Sequence, residues 1–130
     1  MATTGSQRVG DTLPRSAADA RDTVSRLLRD QLRPVPDTAI TDALLVTSEL
    51  VTNAIRHAGG VTGYHTAVLD GRVVITVEDA EDALPRLTRD SAAPLPGGHG
   101  WPMVCHLACQ VQVVPLPGGG KRITAAVVLH

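Results

Sequence analysis

Glu49-Leu50-Val51-Thr52-Asn53-Ala54 is the stretch on which the reading of this chain turns. It lies inside an apolar run, residues 42–58, whose spacing predicts a helix. A carboxylate and a carboxamide four residues apart then share one stripe of that helix, about one turn from each other. The rest of that run is largely apolar, so Glu49 and Asn53 stand near the edge of a buried face. A hard cation such as Mg²⁺ takes oxygen ligands, keeps several waters and shares the rest with phosphates. A carboxamide oxygen suits that role, and a neighbouring carboxylate can take a proton from a hydroxyl. An amphipathic helix with two polar edge residues would show the same spacing.

Working outward, the elements are marked by their punctuation. Residues 1–6 are small and polar and read as a frayed tail. Residues 7–13 read as a short edge strand closed by Pro14. Ser16 is the candidate N-cap of a first helix, with Asp19 three residues on. That helix is expected to run to about residue 33, with Ala20, Val24, Leu27, Leu28 and Leu32 at helical spacing. Pro34 and Pro36 break it, and Asp37 or Thr38 is expected to cap the second helix, which ends at Gly59-Gly60. Residues 61–69 and 72–79 read as strands joined by Asp70-Gly71, a hairpin signal. From 80 to 100 no period holds, and loops of that length in compact domains are usually functional or disordered. Residues 101–109 read as a short helix. Residues 110–115 and 122–130 read as a last hairpin around Pro117-Gly118-Gly119-Gly120.

The fold class that follows is α/β: a two-layer sandwich in which helices cover one face of a mixed, mostly antiparallel sheet. The 130 residues form a single domain with no internal repeat. With one Trp, one Tyr and no Phe, the core is built of Val, Leu, Ile and Ala. The net charge of −1 and the absence of a basic, aromatic-interleaved patch argue against direct nucleic-acid binding. No apolar run approaches the ~18 residues of a membrane span. No signal core is visible at the N-terminus, so a cytoplasmic location is expected, with the two cysteines reduced. Cys105, His106 and Cys109 make an incomplete zinc set and read better as small buried residues on a core-facing helix. Glu81 and Asp82 read as a solvated loop charge pair. Gly97-Gly98-His99-Gly100 could present backbone N–H groups to an anion at a helix start, or serve as a hinge.

Three features in fixed order then carry a resemblance. Residues 49–58, Glu49-Leu50-Val51-Thr52-Asn53-Ala54-Ile55-Arg56-His57-Ala58, resemble the N box of the GHKL, or histidine-kinase-like, ATP-binding fold. Val77-Glu78-Asp79 resembles the start of its G1 box, and Gly98-His99-Gly100-Trp101-Pro102-Met103-Val104 its G2 box. Gly119-Gly120-Lys121 before the last strand also matches, and the resemblance spans about residues 8–129. The branch it looks most like holds the anti-sigma factor serine/threonine kinases and the small ATP-binding regulatory proteins of actinomycetes.

That resemblance implies roles. Asn53 would be the metal ligand holding Mg²⁺ against ATP. Glu49 would be the catalytic general base toward a Ser or Thr hydroxyl. Asp79 would accept from the exocyclic amine of adenine, Gly98 and Gly100 would offer N–H groups to phosphate, and residues 80–97 would form the ATP lid. Arg56 and His57 would contact phosphate or buttress the site, although a His at a helix end also suits the dipole. The implied partners are a sigma factor and an anti-sigma-factor antagonist, with a homodimer left open. Two departures stand out. Glu81 and Ala83 occupy positions where the G1 box usually has glycine, and Trp101-Pro102 follows Gly100. The other readings are a non-catalytic interaction module of the same fold and, more distantly, an isolated phosphorelay module.

Overall fold

The structure, a computed structural model, describes residues 12–82 and 100–130. The frayed tail 1–6, most of the lid 80–97, Ala83 and Gly98 lie outside the described residues, as do residues 7–11 of the expected first strand. Thr12 and Leu13 belong to no strand.

Helix α1 is Ala17–Arg29. Ser16 caps it, its Oγ accepting from the Asp19 N–H at 3.1 Å, and Asp19 Oδ2 accepts in turn from the Arg15 N–H. Ala20, Val24, Leu27 and Leu28 form the buried stripe. The helix stops about a turn earlier than its periodicity predicts. The Asp30 N–H bonds to the Arg26 carbonyl and the Gln31 side chain to the Leu27 carbonyl, so the last turn is satisfied before Pro34 is reached. Leu32, expected on the stripe, is fully exposed (102%).

Helix α2, Asp37–Ala58, begins after Pro36, which is extended and gives no side-chain cap. Neither Asp37 nor Thr38 is the cap. Asp37 instead lies within the first turn, where its charge complements the helix dipole. The helix ends as expected: Gly59 is left-handed at φ 76° and the Gly60 N–H returns to the Ala54 carbonyl. Arg21 ties the helices together, donating to Ser48 Oγ at 2.9 Å.

Strands β1 (Gly63–Leu69) and β2 (Arg72–Asp79) form the Asp70-Gly71 hairpin, in which both turn residues have positive φ. After α3 (Gly100–Leu107) come β3 (Gln110–Pro115) and β4 (Lys121–Val128). The sheet order is β1-β2-β4-β3, and every pairing among the described residues is antiparallel. Because side chains alternate, Val73, Ile75, Val77 and Asp79 share a face with their direct partners Val127, Ala125, Ile123 and Lys121. Val46, Leu50, Val51 and Ala54 of α2 join the buried cluster of that face. α1 packs toward β1 and α3 toward β3. The core is aliphatic, with Tyr64 and Trp101 packed at its margin.

Candidate functional site

On α2, burial of Leu50, Val51 and Ala54 fixes the rotation of the helix and leaves Glu49 and Asn53 half-buried on one edge. The start of α3 closes against this edge. A Cβ on Gly100 would collide with Glu49 Oε1, so only a glycine lets the two elements approach this far. Among the described residues Glu49 Oε1 is itself buried with no hydrogen-bond partner. A carboxylate oxygen desolvated without a donor is costly unless a ligand supplies one. Arg56 and His57 are exposed in the last turn of α2, where their charge suits the helix C-terminus.

A second group forms where β2 ends and β4 begins. Asp79 and Lys121 face each other directly across the strands. Lys121 Nζ donates to Asp79 Oδ1 at 2.9 Å, and their side chains are only 7% and 5% exposed. The Glu81 N–H donates to the same Oδ1 at 2.9 Å, and the Glu81 carbonyl accepts from Lys121 Nζ at 3.1 Å. It is thus the backbone of Glu81 that joins the site. The Gly120 N–H donates to Asp82 Oδ1 at 2.6 Å. Asp82 is therefore engaged with the β3–β4 turn, and the reading of Glu81 and Asp82 as a purely solvated pair is corrected. Gly120, at φ 85°, lies so close that a Cβ there would strike the Asp79 carbonyl.

The structure thus joins Glu49 with Gly100 in one place and Asp79 with Lys121, Gly120 and the Glu81 backbone in another. The contacts of Lys121, Gly120 and Asp82 are the part that sequence reasoning did not assign. The glycine run before β4 was a signal, but the pairing of β2 with β4 is not local and could not be read from turn length. Cys105, His106 and Cys109 are exposed, not buried as expected, and the described residues hold no cluster of three metal-ligating side chains. The short α3 buries only Gly100 and Val104 fully, leaving the other face to solvent.

The profile of the histidine kinase-like ATPase domain matches residues 11–126. The chain belongs to the histidine kinase-like ATPase domain family. Among solved structures, this ATPase domain is similar to the EL346 blue-light activated histidine kinase of Erythrobacter litoralis, with TM-score 0.52 and 24% identity over 73% of this chain and 32% of that one. It is also similar to the histidine kinase domain of the same protein, with TM-score 0.53 and 20% identity over 87% of this chain and 60% of that one. The chain therefore spans less than two thirds of either structure, and at these identities the likeness is one of fold. A search of curated proteins gives no match.

The residues fit the nucleotide that the family name implies. A carboxamide and a carboxylate whose buried oxygen has no partner among the described residues share one helix edge, and Gly100 lies against it. Asn53 offers an oxygen suited to a hydrated Mg²⁺.

Proposed function

We propose that this domain is an ATP-binding regulatory protein of the anti-sigma type, acting as a serine/threonine kinase on an anti-sigma-factor antagonist. The observation that carries the reading is the Glu49–Asn53 edge, where Glu49 Oε1 has no partner among the described residues and the backbone of Gly100 lies close against it. In this reading Mg-ATP supplies the transferable phosphoryl group. Asn53 holds the metal, Gly98 and Gly100 face the phosphates, and Arg56 and His57 border them. Glu49 takes the proton of the substrate hydroxyl, and Asp79 reads the base. The partners are a sigma factor and its antagonist, the location is cytoplasmic, and a second copy of the chain is a further partner.

The test is isothermal titration with ATP and GTP, with and without Mg²⁺. Saturable binding that favours ATP and needs Mg²⁺ is expected. No binding at millimolar Mg-ATP removes the kinase and leaves a partner-binding module of the same fold. That second reading is favoured by Glu81, which stands where the family's G1 box usually has glycine.

A further inference from the structure

Asp79 has two carboxylate oxygens, and they are not equivalent. Oδ1 accepts from Lys121 Nζ and from the Glu81 N–H, both at 2.9 Å. Among the described residues Oδ2 carries no hydrogen bond. Lys121 cannot easily swing away, because it is buried, pairs in register with Asp79 and also donates to the Glu81 carbonyl. The β3–β4 turn closes over the same point through the Gly120–Asp82 bond.

The chemistry of the two purines gives this asymmetry a consequence. A free carboxylate can accept two parallel N–H bonds, one at each oxygen. Guanine offers such a pair, N1–H beside the N2 amine, whereas adenine offers an exocyclic amine next to an acceptor. An unpartnered Asp79 would thus suit guanine as a bidentate reader. With Oδ1 saturated, only one acceptor is left, which a single amine satisfies and the guanine pair does not.

We infer that Lys121 is the specificity-determining residue of this site: by occupying Asp79 Oδ1 it limits Asp79 to one-point recognition of adenine and excludes guanine. Lys121 acts through Asp79 and is a positioning residue. The inference rests on the nucleotide-binding reading above.

The experiment is titration of the whole chain with Mg-ATP and Mg-GTP, read as the ratio of the two dissociation constants. Lys121→Met is expected to reduce the preference for ATP by about tenfold or more, the discrimination that one bidentate pair supplies. Part of that change should be a gain in GTP affinity, which damage to the fold cannot produce. Lys121→Arg, which keeps a donor on the carboxylate, should still reject GTP. Should Lys121→Met fail to fold by circular dichroism, Lys121→Ala, which likewise has no donor, takes its place under the same criterion. An unchanged ratio in a folded neutral variant overturns the inference while leaving nucleotide binding intact. Failure of the wild-type chain to bind either nucleotide overturns both.

Discussion

Asp79 is a buried carboxylate whose charge is met by the Lys121 ammonium. Removing one partner of such a pair leaves the other charge uncompensated in a poorly solvated place. Lys121→Met should therefore lower stability by about 3–5 kcal/mol, read from urea unfolding. The double change Asp79→Asn with Lys121→Met should recover much of that loss, since no charge is then stranded. Glu49 and Gly100 make the opposite kind of pair, in which space rather than charge matters. A methyl group at position 100 meets the far end of a flexible side chain, which can turn aside. Gly100→Ala should thus cost little stability but displace the carboxylate. Its loss of phosphoryl transfer should approach that of Glu49→Ala, about 10²-fold or more for a general base. The two changes combined should add little beyond either alone, because both remove the same group. Glu49 and Asn53 were legible because an i,i+4 pair on an apolar helix carries its geometry in its spacing. The partner of Asp79 was not, because Lys121 lies 42 positions away in the chain.

The elements differ in how far local chemistry determines them. Ser16 and Gly59 are read directly, one as a side-chain cap and one as a left-handed stop. Ser16→Ala should cost about 1 kcal/mol in chemical denaturation, the usual size of a lost N-cap. The end of α1 was not read, since periodicity extends through Leu32 whereas the Gln31 side chain closes the last turn sooner. Tyr64 joins α1 to β1: its hydroxyl reaches the Ala20 carbonyl and Thr23 Oγ1, each at 3.4 Å. Burial raises its pKa from 10.0, opposed by the Thr23 hydrogen bond. An acid whose folded pKa is raised gives stability that is complete below its unfolded pKa and is lost as pH rises past it. The wild-type chain should therefore lose stability above pH 10, beyond what Tyr64→Phe loses. Thermal melts of both chains across the alkaline range would show this as diverging curves.

At the scale of the molecule, the two-layer α/β arrangement was legible from periods of 3.6 and 2 and from the hairpin turns. The strand order was not: nothing local says that β4, not β3, lies beside β2. A ligand that binds only the folded chain raises its stability, by about 2.7 kcal/mol at ~100 times Kd. Thermal shift with Mg-ATP should show that rise, and Mg-GTP should show little. The same strand order bears on how quickly the native state is reached and lost. The sheet is two local hairpins, and the seam between them, β2 against β4, is its non-local step. Non-local pairings form late because chain closure must precede their reward. Asp79 and Lys121 are the end of that seam, so their bond belongs to the closing stage of folding. Stopped-flow measurements on Lys121→Gln should accordingly find unfolding accelerated and refolding almost unchanged, whereas changes within the Asp70-Gly71 turn should slow refolding. Asp79 then acquires its partner only when the two halves of the sheet meet, and a chain stalled before that point holds both hairpins but not the buried ion pair that joins them.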